Sequence, residues 1–211
     1  MLKDIHSHHL FSEPESILFS ACCRDITKTD FRQAVHLSVG IHPWYITEED
    51  LPLQISWIET MLKDRRVRAI GEAGLDKRCD TPFELQEKAF RWQIECAEKH
   101  HLPLIIHAVK CASELIHLKK EYQPVMPWII HGFRGKPQQA AEYIRHGFYL
   151  SFGEKYSEEA LRLVPEQRFF LETDESRIPI HELFQRAAEV RGISLAHLED
   201  SVFENINQLF Y

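Results

Sequence analysis

The sequence has 211 residues, 44% hydrophobic and 27% charged, which are ordinary proportions for a globular chain able to bury a substantial core. Its formal net charge of −7, from 32 acidic and 25 basic side chains, argues against a broad basic face for wrapping duplex DNA and confines any nucleic-acid contact to a local site. The opening Met-Leu-Lys-Asp-Ile-His has no apolar signal region, and no apolar run approaches the ~20 residues of a membrane span, so a cytoplasmic protein without membrane contact is expected.

In chain order, short apolar runs recur, and most lead directly into a chemically able side chain. Residues 2–5 lead to His6 and His8, 37–41 to His42, and 67–70 to Gly71 and Glu72. Residues 104–106 lead to His107, 128–130 to His131, and 169–171 to Glu172 and Asp174. Two further runs, 17–21 and 148–152, have strand character with no candidate ligand at their ends. The runs are apolar on successive residues, as expected of strands covered on both faces of a parallel sheet.

Helical spacing follows the later runs. It predicts helices over 84–99, 112–120, 137–146, 158–164 and 180–191, with Pro137 suited to a first helical turn, where its missing N–H costs nothing. Ser194 is placed to cap a last helix over 195–210. Eight strands alternating with helices predict a compact TIM-like (β/α)8 barrel, with residues 1–211 as one domain and an open α/β sheet as the alternative. Only residues 10–16 separate the first two strands, too few for a crossover helix, so the barrel is expected to lack its first helix. The five cysteines (Cys22, Cys23, Cys79, Cys96 and Cys111) fit no zinc-knuckle spacing and read as reduced residues of a monomer or weak oligomer.

In a parallel barrel all strand C-termini open onto one rim. His6, His8, Glu72, His107, His131 and Asp174 should therefore meet in one cup. That much imidazole and carboxylate, unpaired, would be costly to gather without cations. His6 and His8 stand two apart and share a strand face, so they can clamp one metal ion. A carboxylate such as Glu72 can bridge two ions ~3.5–4 Å apart, with His107 and His131 on the second ion and Asp174 on the first. The nitrogen and oxygen donors favour Zn²⁺, Mn²⁺ or a related ion over Mg²⁺. Singly, each residue has a structural explanation, such as a salt-bridged strand end or a hydrogen-bonded core histidine. The series of ligands in this order is what points to a metal site.

These residues resemble the TatD-like metal-dependent hydrolases, a branch of the amidohydrolase-type barrels. The likeness lies in Asp4-Ile-His-Ser-His8, Gly40-Ile-His-Pro43, Ile70-Gly-Glu-Ala-Gly-Leu-Asp76, Leu104-Ile-Ile-His107, Ile130-His-Gly-Phe-Arg-Gly135, Leu171-Glu-Thr-Asp174 and Asn205-Ile-Asn-Gln-Leu-Phe210. The resemblance implies two divalent ions (Zn, Mn or Mg), an activated water as nucleophile, and phosphodiester hydrolysis of DNA ends or single strands. It implies catalytic roles for Glu72 and Asp174, the latter also accepting or relaying a proton, and phosphate contacts from His42, with Lys110 and Arg134 as further candidates. The chain departs from the family pattern in three places. It is shorter than typical members, it has Val109 where an Arg is usual, and Asp174-Glu-Ser-Arg177 lacks the usual Pro. Lys110 or Arg134 would have to replace the lost phosphate clamp, although Lys offers a point charge where Arg offers a fork. These changes keep open a small phosphate ester, amide or lactone as substrate, and a non-catalytic metal-binding scaffold. Trp44, Tyr45 and Phe133 flank the motifs as rim packing or as stacking surfaces for a base.

Overall fold

The apolar runs lie in eight strands of three to ten residues that form a parallel barrel in the computed structural model, which describes residues 2–211. In chain order they are β1 (Asp4–Ser7), β2 (Ile17–Ala21), β3 (His36–Val39), β4 (Val67–Asp76), β5 (Leu104–Val109), β6 (Trp128–Ile130), β7 (Tyr149–Phe152) and β8 (Phe169–Leu171). Each strand pairs in parallel with the next, in the order β1 to β8. The ring closes just past β8, where Ser7 pairs with Asp174. There the Asp174 amide donates to the His6 carbonyl at 2.9 Å, and the His8 amide donates to the Asp174 carbonyl at 3.1 Å. This closure selects the barrel over the open sheet.

The helices are α1 (Thr29–Gln33), α2 (Leu51–Met61), α3 (Phe83–His100), α4 (Ala112–Tyr122), α5 (Pro137–Arg145), α6 (Glu158–Leu163), α7 (Ile180–Arg191) and α8 (Leu195–Phe210). As expected, no α-helix joins β1 to β2; a three-residue 3-10 turn at Pro14–Ser16 does so instead. Helices α7 and α8 have the bounds expected from the sequence, and the Ser194 hydroxyl accepts the His197 amide at 3.2 Å as the cap of α8. Asn205 on α8 donates its amide to the carbonyls of Glu166 (2.6 Å) and Phe169 (3.1 Å), which fixes the start of β8.

Helices α1 and α2 have no counterpart in the apolar spacing. α1 is too short to carry a period and is stapled from outside, because Arg66 donates to the carbonyls of Phe31 (3.0 Å) and Ala34 (3.1 Å). α2 begins at Leu51-Pro52 and buries only Leu51, Gln54 and Ile58, so its apolar stripe is narrow.

The largest correction concerns β4. The apolar run stops at Ile70, but the strand continues through Glu72 to Asp76, so Glu72 lies inside it and not at its end. Past an irregularity between Ile70 and Ala73, β4 pairs with β5 from Ala73–Ile106 to Asp76–Val109. Gly74 permits this: its φ is +149°, and a Cβ there would run into the main chain of His107. The close pairing sets Glu72, Asp76 and His107 side by side.

Candidate metal centre

Glu72 is 6% exposed and turns its two oxygens to different sets of nitrogens. Its Oε2 lies 3.4 Å from Nε2 of both His6 and His8. Its Oε1 lies 2.8 Å from His131 Nε2, 2.9 Å from His107 Nδ1 and 3.0 Å from His42 Nε2. Asp174 joins the first set, with Oδ1 at 3.8 Å from Nε2 of both His6 and His8. All six residues expected to bind metal therefore come together, and several overlapping groups of three could each hold an ion: His6, His8 and Asp174; His6, Glu72 and His131; His42, Glu72 and His107; and His131, Glu172 and Asp174.

Tautomer logic narrows these sets. His107 Nε2 faces Asp76 Oδ2 at 3.2 Å, and His131 Nδ1 faces Glu172 Oε1 at 3.2 Å. A carboxylate only accepts, so these nitrogens carry the protons. The opposite nitrogens, His107 Nδ1 and His131 Nε2, face a second carboxylate, Glu72 Oε1, so each ring either carries a second proton as an imidazolium or turns a lone pair to a cation lying between it and Glu72. His6 adds a second sign. Its ring is fully buried, and neither nitrogen has a hydrogen-bond partner. The donor set therefore fits divalent cations on its own chemistry.

His42 differs. Its Nδ1 accepts the Trp44 amide at 3.1 Å, so a neutral His42 carries its proton on Nε2 and donates it toward Glu72. That arrangement makes His42 a donor and argues against it as a ligand.

Electrostatics follow the same pattern. Burial would push the Glu72 carboxyl up, but the imidazoles of His131, His107 and His42 hold it well below the usual carboxylate range. Burial would weaken His131 as a base, yet Glu72 and Glu172 raise it well above the ordinary imidazole value. Burial lowers His42 despite Glu72, whereas Glu72 raises His8 against its burial. Where a metal ion binds, its charge takes the place of the proton these histidines would otherwise hold.

Three residues support the ligands: Asp76 and Asp4, which the sequence reading gives no role, and Glu172, which it gives only as a strand-end acid. Asp76 accepts the indole N–H of Trp44 at 2.7 Å and the amide of Arg78 at 2.7 Å, and Gln86 accepts its main-chain N–H at 2.8 Å. Glu172 accepts the Gly132 amide at 2.6 Å while it orients His131. Asp4 meets the Thr173 hydroxyl (2.6 Å) and amide (3.1 Å), which knots β1 to the end of β8, and burial pushes its carboxyl up to about 7. Each is an acid next to a ligand inside a motif already noted, and that adjacency was the available signal. Asp174 itself has φ +53°, a conformation uncommon outside glycine, at the seam of the barrel.

The cup opens into a cavity of about 830 Å³. Lys110, exposed, and Arg134, whose side chain is 61% exposed and lies 3.8 Å from Asp174 Oδ2, stand at its rim. Val109 lies on the same wall, so the usual guanidinium is absent from that position.

Comparison with known proteins gives the family and the fold. The family model described as "TatD related DNase" matches residues 19–211, a stretch that begins after His6 and His8. An uncharacterized metal-dependent hydrolase, YabD, from Bacillus subtilis (strain 168) is 32% identical over 189 residues, covering 82% of this chain and 72% of its own length. The 3'-5' ssDNA/RNA exonuclease TatD from Escherichia coli (strain K12) is 25% identical over 206 residues, covering 82% of this chain and 76% of its own. Among solved structures, YjjV, a TatD homolog from Escherichia coli K12, superposes with a TM-score of 0.83 at 21% identity, over 99% of this chain and 97% of that one, a likeness of fold.

Proposed function

This chain belongs to the family of TatD-related DNases, a family of metal-dependent hydrolases, and from that premise we propose that its cup hydrolyses phosphodiester bonds at ends or in single strands of DNA. The observation that carries the reading is the division of Glu72 between two sets of nitrogens. We assign His6, His8 and Asp174 to one divalent ion, His107 and His131 to the other, and Glu72 to both. When bound, such ions make a water acidic enough to attack near neutral pH and neutralise charge developing on the phosphoryl oxygens. The four imidazoles favour Zn²⁺ or Mn²⁺ over Mg²⁺.

The protein's own residues do the rest. Asp174, partly open to the cavity, accepts the proton released in the attack. His42 aims its Nε2–H into the cup and donates it to a phosphoryl oxygen. Lys110 and Arg134 supply the remaining positive charge at the rim, in place of the fork missing at Val109. The five unbonded cysteines, with Cys96 and Cys111 buried, support a reducing compartment such as the cytoplasm.

The test is release of nucleotides from an end-labelled single strand by protein loaded with Mn²⁺, Zn²⁺ or Mg²⁺. Metal-dependent release that vanishes in Glu72→Gln supports the reading, and no release with any of the three contradicts it. The cavity itself favours a second reading, a small phosphate ester, because about 830 Å³ lies within the ~300–1,000 Å³ typical of small-molecule sites. Turnover of model monoesters without strand cleavage would select it.

A further inference from the structure

The turn after β3 holds an aromatic ring in an unusual state. Trp44 is 53% exposed, yet it is pinned twice. Its main-chain N–H donates to His42 Nδ1 at 3.1 Å, and its indole N–H donates to the buried Asp76 at 2.7 Å. The turn is also anchored from behind, where Gln54 of α2 donates to the Tyr45 carbonyl at 2.8 Å. A surface indole normally gains nothing from being held rigid while half its area stays in water. Here the ring lines the cavity, with its centroid 4.9 Å from that of His42 and 5.6 Å from that of His107. Neighbouring Tyr45 already carries the Arg24 guanidinium 4.7 Å from its ring centroid. Trp44 has no cation over it among the described residues.

We infer that Trp44 is a stacking platform for the nucleobase adjoining the phosphate held in the cup, set in position by Asp76. The inference deepens the phosphodiesterase reading and rests on it for the phosphate. An aromatic face recognises any base through its π surface, so the platform gives affinity without sequence preference. Because the indole is immobilised before binding, little side-chain freedom is lost when a base arrives. The net charge of −7 fits the same picture: contact is local, with one phosphate at the cup and one base on the ring.

The test compares two probes on metal-loaded protein by calorimetry and indole fluorescence: 2'-deoxyadenosine 5'-monophosphate, and 2-deoxyribose 5-phosphate, which lacks the base. The wild type should bind the nucleotide about tenfold more tightly than the sugar phosphate and lose indole emission as it does so. Trp44→Ala should abolish the difference between the probes. Trp44→Phe, which keeps an aromatic face, should retain most of the difference and lose the quenching. Equal affinity of the wild type for both probes, a preference that survives Trp44→Ala, or binding of the nucleotide without quenching would each overturn the inference. A wild type that prefers the nucleotide yet cuts no strand would sink the phosphodiesterase reading alone. Strand cleavage with no advantage for the base would sink the platform alone.

Discussion

His107 Nδ1 lies 2.9 Å from Glu72 Oε1 while its Nε2 lies 3.2 Å from Asp76 Oδ2, so the ring stands between two carboxylates and needs a positive charge, either a second proton or a bound cation. Divalent metal should therefore stabilise the fold. With the ion at about a hundred times its dissociation constant, linkage gives about 2.7 kcal/mol per site. Thermal unfolding should shift upward on adding Zn²⁺ or Mn²⁺ and fall back with a chelator. In Glu72→Gln most of that shift should disappear.

Asp76 and Glu172 fix the proton positions of His107 and His131. Asp76→Asn and Glu172→Gln should weaken metal binding about 10–100-fold, the usual effect of removing a carboxylate that orients a ligating imidazole. A competition titration with a metal-sensitive dye measures this without reference to activity. Unchanged affinity would mean that packing alone holds the rings.

His42 is assigned as a donor to substrate, because its Nδ1 is already engaged by the Trp44 amide. His42→Ala should retain the full metal content while kcat/KM falls about 10–100-fold, the range for a hydrogen bond to a charged group. Loss of an ion in elemental analysis of this variant would show that His42 is a ligand.

A fourth prediction concerns a site away from the cup. Lys119 packs its amine over Trp128 and Phe148, each ring centroid 4.9 Å away, and burial, with Arg168 nearby, pushes the amine down to about 8 from 10.5. Between these two values the unfolded chain holds a proton that the folded one has released, so stability rises with pH across that window. Below it the cost of the buried charge is fully present. Lys119→Met should accordingly unfold at a higher temperature than wild type at pH 7, and its advantage should shrink toward pH 10. An advantage independent of pH would refer the effect to packing.

Much of the barrel was legible because its strands contain short apolar runs and most of its ligands stand at or just beyond the ends of those runs. The 104–106 and 128–130 runs led straight to His107 and His131, and the brevity of 10–16 announced the missing helix. What escaped depends on partners distant in sequence. Glu72 lies within β4 because Gly74 lets two backbones approach, a relation visible only once β5 is beside it. α1 depends on Arg66, thirty-odd residues away, to satisfy its last carbonyls. Asp76 looked like one more acid in a motif until folding brought Trp44 and His107 to the same oxygen.

The central claim is that His6, His8, Glu72, His107, His131 and Asp174 hold a pair of divalent ions. Anomalous diffraction from crystals soaked in Mn²⁺ or Zn²⁺ tests it most directly. The predicted result is two peaks in the cup, one beside His6, His8 and Asp174, the other beside His107 and His131, with Glu72 touching both. Peaks lying elsewhere, or a cup without any peak at saturating metal, would contradict the account.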